Sequence, residues 1–288
     1  MSRRDPTKKR SQFSYVWHYL KRDRLAMLGL CGLTVLVACA IFAPLIAPYD
    51  YALQDYLSMN QAPSLKHLFG TDNFGRDIFS RVVFGARISL LVGFISLAIG
   101  AFLGSLLGAV AGYFGRFSET LIMRGCDIMM SIPSTVLAIT IATTLGPGLV
   151  NAVIALSISS IPSFCRVVRG STLTVKDQEY IEAARVIGAS DWHIIRRYVF
   201  PNVLAPIIVQ ATLGIGKSII MCASLSFLGL GIQPPTPEWG AMLSTARTFM
   251  RNYPYQVIFP GLAIMLTVLS LNLFGDGLRD ALDPKLKR

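Results

Sequence analysis

The chain has 288 residues, of which 53% are hydrophobic and only 15% are charged, whereas about a quarter of the residues are charged in an ordinary soluble domain. So few charges exclude a soluble globular fold, because they cannot cover its surface. The net charge of +11 would also suit nucleic-acid binding, so the position of the basic residues along the chain has to be considered.

Six long apolar runs follow one another along the chain. A bilayer core about 30 Å thick requires roughly 20 helical residues to cross it, and each run has about that length. The predicted spans cover residues 25–47, 88–113, 121–145, 149–168, 203–230 and 257–274. The sequence therefore predicts an all-α fold, a polytopic membrane protein with six transmembrane helices.

The first run has a second reading as a signal peptide, because basic residues precede it and Ala38-Cys39-Ala40 has the pattern of a cleavage site. The run continues to Ala47, which is longer than a usual signal peptide, so an uncleaved anchor is the preferred interpretation. The second run carries glycines at positions 100, 104, 108 and 112. Such a stripe of small residues predicts close packing against another helix.

The basic residues are unevenly divided between the two sides of the membrane. With six spans, twenty lysines and arginines fall on the side of both termini and of the 166–202 link, and six fall on the other side. Basic residues are enriched on the cytoplasmic side. This predicts a multi-pass membrane protein with both termini in the cytoplasm and with residues 48–87 and 231–256 outside. The charge then reports topology and contact with anionic lipid, and no nucleic-acid partner is expected.

The cytoplasmic link between the fourth and fifth runs predicts two short helices. Asp177 is a candidate N-cap for a helix over residues 178–187, which Gly188 can end by adopting the left-handed conformation. Ser190 can cap a second helix over residues 191–200.

Within this pair, Pro201 is expected to stop the second helix, and Ala183 and Ala184 are expected to leave a smooth surface beside Glu182. A groove on another protein could accept that surface. Two other readings are a plain interfacial helix pair and a DNA-binding helix–turn–helix. Attachment to two spans makes access to duplex DNA awkward, which disfavours the latter.

The order Glu182-Ala183-Ala184, then Gly188, then a hydrophobic-x-hydrophobic-Pro ending at Pro201 resembles the EAA loop of bacterial ABC importer permeases. In that family the loop is the helix that docks in a cleft of the ATPase subunit. The resemblance implies that Glu182, Ala183, Ala184 and Gly188 form the coupling contact.

Three further segments resemble the dipeptide, oligopeptide and nickel branch of this family, and most closely its shorter C-type subunit. They are the run from Gly70 to Arg81, continued by Gly85-Ala-Arg-Ile-Ser-Leu, the run from Ser226 to Gly240, and the run from Asn272 to Pro284. The resemblance implies a type I ABC importer permease fold in a bacterial plasma (inner) membrane and half of a pathway for di- or oligopeptides. It also implies as partners a second homologous permease, two ATPase subunits and an external solute-binding protein. Nickel and glutathione-like substrates remain alternatives.

Four segments are expected from these observations. They are a cytoplasmic N-terminal segment over 1–24, an anchor helix with an external segment over 25–85, a permease domain over 86–276 that contains the coupling loop 174–201, and a cytoplasmic tail over 277–288.

No motif for covalent chemistry is found. Gly214-Ile-Gly-Lys217-Ser218 has some likeness to a phosphate-binding loop, but position 211 is Ala where the pattern needs Gly. The three histidines fall in separate segments, and the five cysteines lie in apolar runs without a CxxC pair. The sequence thus predicts no enzyme activity, no catalytic residue, no cofactor and no metal site. A self-sufficient secondary transporter is the rival class, and it would need its own coupling-ion site in the spans.

Two sets of charged residues are candidate functional sites. Arg76, Asp77 and Arg81 are candidates for an external gate or a contact with the binding protein, with pairing inside the chain as the alternative. Lys217 lies within the fifth run, where a charge in lipid would be costly. It is a candidate for the substrate pathway, for a contact with the partner permease, or for a residue that reaches the inner interface because the span begins later.

Overall fold

The structure is a computed structural model that describes the backbone of residues 12–282 and the side chains from residue 16 onward. The basic residues at positions 3–10 and 285–288, which entered the topology prediction, lie outside this part of the chain. All regular elements within residues 12–282 are helical. They are α1 Gln12–Leu20, α2 Arg24–Ile41, α3 Ala43–Ile46, α4 Ile78–Phe114, α5 Arg116–Met130, α6 Ser134–Leu145, α7 Leu149–Lys176, α8 Glu179–Val186, α9 Asp191–Ile194, α10 Phe200–Phe227, α11 Trp239–Ala246 and α12 Tyr255–Leu282.

Five helical stretches in the described residues are long and apolar enough to cross a membrane. They are α2, α4, α7, the continuous stretch from α9 through α10, and α12. The pair α5 and α6 becomes the sixth if it is counted as one broken span. The predicted all-α fold with six spans is therefore confirmed.

The third predicted span is not the uninterrupted helix that its composition suggested. The chain bends by 89° between α5 and α6. Pro133 lies at the bend with an extended backbone and precedes the first residue of α6. Proline has no amide hydrogen to give to a helix and disfavours helical geometry in the residue before it, which explains the break.

Other predicted boundaries also shift. Helix α4 begins at Ile78 rather than at residue 88, because the carboxylate of Asp77 caps it by accepting a hydrogen bond from the amide of Ser80 at 2.7 Å. The first run divides at Phe42 into α2 and α3, with Pro44 in the first turn of α3. The expected segment boundaries at 85/86 and 276/277 fall inside α4 and α12 and mark no break in the chain.

Pro201 does not stop the second cytoplasmic helix. A π-helical turn over Ile195–Val199 joins α9 to α10, and the amide of Phe200 bonds to the carbonyl of Ile195. Because of this wider turn, Pro201 lies at the first positions of the next helical segment. A missing amide hydrogen is tolerated there. The predicted short helix is thus the first part of a stretch that runs from Asp191 to Phe227.

Helix α4 is central and packs along α7, and it also contacts α2, α5, α10 and α12. The predicted glycine stripe lies at the α4–α7 contact. A Cβ atom added at Gly104 would lie only 2.6 Å from the carbonyl oxygen of Ile161. The two backbones can approach this closely because the stripe carries no side chains.

The start of α2 and the end of α12 lie together. Leu20, Ala26 and Ala281 are buried in one cluster. Arg279 near the end of α12 lines the same recess as Thr174 at the end of α7. We call the side that carries α8 and α9 the helix-pair face, and the opposite side, which carries residues 47–77 and 228–254, the loop face.

Candidate functional site

The helix pair α8–α9 is formed by local signals that the sequence carries. Gly188 has φ +82°, the left-handed conformation that ends α8, and its amide bonds to the carbonyl of Arg185 at 3.0 Å. Ser190 caps α9 by accepting a hydrogen bond from the amide of His193. These two predictions are confirmed. Asp177 is not the N-cap of α8, because it ends α7 and Gln178 occupies that position.

The inner side of the helix pair is a small apolar core. Ile181 and Ala184 of α8 are buried with Ile194 and with Val199 of the π-helical turn. This cluster also contains Ala109, Tyr113 and Val168, which belong to α4 and α7. The pair is thereby packed onto the ends of two long helices of the span region.

Polar contacts strengthen this attachment. The hydroxyl of Tyr113 donates a hydrogen bond to Oδ1 of Asp191 at 2.7 Å. The guanidinium of Arg185 lies over the ring of the same tyrosine, 5.3 Å from its centre. Sequence reasoning missed Tyr113, Arg185 and Asp191 as anchors, because they come from separate segments of the chain.

The outer side of the pair differs from the expected smooth alanine surface. Glu182, Ala183 and Gly188 are exposed as expected. Ala184 is only 3% exposed, so it lies under the surface and not on it. The reason is helical geometry: Ile181 and Ala184 are three residues apart, so they share the face that packs against the protein.

Two apolar residues that the sequence analysis did not single out dominate the exposed edge. Val186 is 87% exposed and Ile187 is 81% exposed. They lie between Ala183 and Gly188, next to the residues of the predicted contact. Exposed neighbouring apolar side chains of this kind are typical of a protein–protein contact. Both residues are β-branched and come just before Gly188, and this pattern in the sequence could have indicated an exposed apolar edge.

On the loop face, the predicted charged residues form a buried network. Nε of Arg76 binds Oδ2 of Asp72 at 2.7 Å, and Nε of Arg81 lies 3.8 Å from the same oxygen. Arg81 also donates hydrogen bonds to the carbonyls of Tyr51 at 2.9 Å and Pro235 at 3.3 Å. The network therefore ties two loop segments to the start of α4.

Asp77 is part of the same buried layer. Its carboxylate bonds to Nδ1 of His67 at 2.9 Å as well as capping α4. Arg76, Asp77 and Arg81 are each no more than 4% exposed. The three side chains thus pair inside the chain, as the alternative expected. Their role as an external gate or a contact with the binding protein stays a prediction. Sequence reasoning had not assigned His67 a role, since nothing near it in the sequence indicates its partner.

A cavity of about 280 Å³ opens between the α5–α6 bend, α7 and α10. Its lining includes Met130 and Pro133 at the bend, Ser159 on α7, and Gln210 and Lys217 on α10. The amide of Gln210 donates a hydrogen bond to the hydroxyl of Ser163 at 2.9 Å, which joins α10 to α7 at this level. The break in the third span thus forms one wall of the cavity.

Lys217 is exposed towards this cavity and forms no ion pair with any acid in the described residues. It lies ten residues before the end of α10 at Phe227, on the side of the loop face. Asp191, where the continuous stretch begins on the helix-pair face, is far from it. This distance argues against the reading in which Lys217 reaches the inner interface, and all three readings of Lys217 stay predictions. The structure brings none of Glu182, Ala183, Ala184 or Gly188 near it, because the helix pair lies at the other end of the same stretch.

Comparison with known families decides the identity. The family described as "Binding-protein-dependent transport system inner membrane component" matches residues 100–288. A second family, the "N-terminal TM domain of oligopeptide transport permease C", matches residues 11–63. The chain belongs to the binding-protein-dependent transport permeases. As a permease of this family it is a multi-pass inner membrane protein and the membrane component of the system rather than its ATPase.

Individual relatives of this permease are similar over nearly their whole length. It is 51% identical over 268 residues to the dipeptide transport system permease protein DppC of Alkalihalophilus pseudofirmus, covering 93% of this chain and 88% of the relative. It is 52% identical over 283 residues to the glutathione transport system permease protein GsiD of Escherichia coli, covering 98% and 93%.

Solved structures agree on the fold of the permease. An inward-facing structure of the MetNI methionine ABC transporter aligns with a TM-score of 0.58 at 20% identity, covering 72% of this chain and 98% of that one. A second match, an amino acid ABC transporter with histidines, has a TM-score of 0.53 at 14% identity, covering 70% and 94%.

Proposed function

We propose that this chain is one half of the translocation pathway of an ATP-driven importer for short peptides. The observation that carries the proposal is the exposed edge of α8 on a helix pair that is packed firmly onto α4 and α7. A movement of a cytoplasmic ATPase bound to this edge would displace the helix pair and, with it, the spanning helices α4 and α7. The chain itself is proposed to catalyse no covalent reaction.

The ATPase contact is proposed to consist of Glu182, Ala183, Val186, Ile187 and Gly188. All five are exposed, and two are apolar. Apolar residues at the centre of a contact, with charged residues at its rim, are the usual composition of a protein interface. Ala184 supports this contact from beneath. Two ATPase subunits, a second homologous permease and an external solute-binding protein complete the proposed assembly.

This assignment fixes the proposed orientation. The helix-pair face would lie in the cytoplasm together with the start of α2 and the end of α12, which places both termini inside. Residues 47–77 and 228–254 would face the outside and the binding protein. Among the described residues, the excess of basic residues on the helix-pair face supports this orientation. The proposed organisation is an N-terminal anchor followed by a permease domain, with α4 shared between them.

The cargo is proposed to be di- or oligopeptides, as the name of the DppC relative suggests. A second candidate is a glutathione-like peptide, which the GsiD relative favours at a similar identity. Both are short peptides that carry free carboxylates. A secondary transporter is disfavoured, because Lys217 is the one ionisable residue that lines the cavity, and one cation does not make a coupling-ion site.

A copurification experiment tests the ATPase contact. We expect Ile187→Asp to abolish copurification of the ATPase subunits and ATP-dependent peptide uptake in proteoliposomes, because it places a charge in the apolar centre of the contact. The matched control is Leu57→Asp, which alters an apolar residue that is 96% exposed on the loop face. Leu57→Asp should retain the ATPase subunits. Normal ATPase recovery with Ile187→Asp would contradict the proposal.

A further inference from the structure

We propose that Lys217 binds a carboxylate of the transported substrate inside the cavity between the α5–α6 bend, α7 and α10. This inference rests on the proposed function, because it assumes that the cavity belongs to the pathway. It goes further by giving one residue a role in recognition and by naming the chemical group it recognises.

The first step is the depth of Lys217 in the membrane. It is ten residues from the loop-face end of α10, which corresponds to about 15 Å along the helix axis. At that depth an ammonium group in contact with lipid would cost several kcal/mol. The side chain instead lines the cavity, where water or an anionic ligand can reach it.

The second step is the absence of a counter-charge in the described residues. Asp127, the acid that lies one helical turn from the cavity-lining Met130, is already bound by Arg166 at 2.9 Å. The other polar side chains that line the cavity are neutral: Ser134, Ser159, Ser160, Ser163, Gln210 and Ser218. The wall formed by this chain therefore carries one uncompensated positive charge.

The third step is the match between this wall and a peptide terminus. A carboxylate forms a strong charge-assisted hydrogen bond with an ammonium group, and the neutral hydroxyl and amide groups nearby can satisfy its remaining lone pairs. Ser218 is held in place by a 3.0 Å contact between its hydroxyl and that of Ser96 on α4. The cavity volume of about 280 Å³ lies just below the range of roughly 300–1,000 Å³ found for ligand pockets, so the cavity suits a small ligand such as a short peptide.

The test uses the reconstituted complete transporter and compares a dipeptide with its C-terminal amide. Both peptides are supplied at concentrations that saturate the binding protein, so a difference between variants belongs to the permease. For the unaltered protein we expect uptake of the free acid to exceed that of the amide by about tenfold, which corresponds to a difference of about 1.4 kcal/mol. Lys217→Met should lower uptake of the acid to the level of the amide, and Lys217→Arg should preserve the preference.

Lys66→Met is the matched control, because Lys66 is an exposed lysine on the loop face. It should leave the acid-to-amide ratio unchanged. An unchanged ratio in Lys217→Met, or equal uptake of both peptides by the unaltered protein, would overturn the inference. So would failure of Lys217→Met and Lys217→Gln to assemble with the partner permease, which would show that Lys217 pairs with an acid of that subunit. Failure of the proposed function is distinct, because the unaltered protein would then take up neither peptide in an ATP-dependent manner.

Discussion

Arg166 of α7 donates a hydrogen bond from Nη2 to Oδ1 of Asp127 on α5, at a distance of 2.9 Å. Both side chains are about half exposed. The pair lies one helical turn from Met130 and Ser163, which line the cavity, on the side of the helix-pair face. It therefore holds α5, the first part of the bent span, against α7 at the edge of the cavity.

This pair is expected to couple α5 to α7 by a modest amount. We expect Asp127→Asn and Arg166→Gln each to lower the free energy of unfolding by about 1 kcal/mol, because ion pairs that remain partly exposed are worth little more. The double variant should lose no more than either single variant. Unfolding of the purified chain in mild detergent measures these values. Additive losses would show that the two side chains do not interact.

Gly188→Val should weaken both the ATPase contact and peptide transport. A β-branched residue is a poor fit to φ +82°, and the left-handed conformation costs roughly 1–2 kcal/mol for an L-residue, so the turn between α8 and α9 should move. ATPase copurification and peptide uptake should both fall while the amount of protein in the membrane stays near normal. Gly170→Val is the control, because Gly170 is an exposed helical residue of α7 with open space around it. Full uptake by Gly188→Val would remove the turn from the coupling mechanism.

Adjacent alanines on α8 are expected to respond differently. Ala184→Leu should destabilise the helix pair by about 1–3 kcal/mol, because it overfills the core that contains Ile181 and Ile194. Its effect should appear as a lower melting temperature. Ala183→Leu should leave the melting temperature unchanged and reduce ATPase copurification, because Ala183 is exposed. If both variants behaved alike, the assignment of one to the core and the other to the contact would be refuted.

Asp72 is expected to hold the loop face together. Asp72→Asn removes the carboxylate that faces Arg76 and Arg81, and it leaves two buried guanidinium groups without a counter-charge. Loss of one partner from a buried ion pair typically costs about 3–5 kcal/mol, so we expect a large drop in the amount of folded protein in the membrane. Asp50→Asn, at an exposed acid of the same face, should change the yield little. A stable Asp72→Asn protein that fails only to bind its solute-binding protein would favour a docking role instead.

Several features of the fold followed from the sequence because they depend on local physical requirements. A bilayer demands long apolar helices, so the six runs could be recognised by length and composition alone. Gly188 and Ser190 lie at the ends of short helices, where the residue type itself satisfies the backbone. Reasoning from local sequence alone also explains the wrong predictions at Pro133 and Pro201. Whether a proline bends a helix or is accommodated in a wider turn depends on the packing around it.

What the sequence by itself determined was the membrane class, the number of spans and the position of the helix pair α8–α9, since each depends on the chemistry of one continuous segment. Only the tertiary structure decided which side chains of the predicted sites are exposed and which are buried. It buried Ala184 and the Arg76–Asp72 pair, and it exposed Val186 and Ile187. It also gathered the bend at Pro133, Ser163 and Lys217 around one cavity. Burial is set by contacts between segments that lie far apart in the chain, and no pattern within a single segment contains that information.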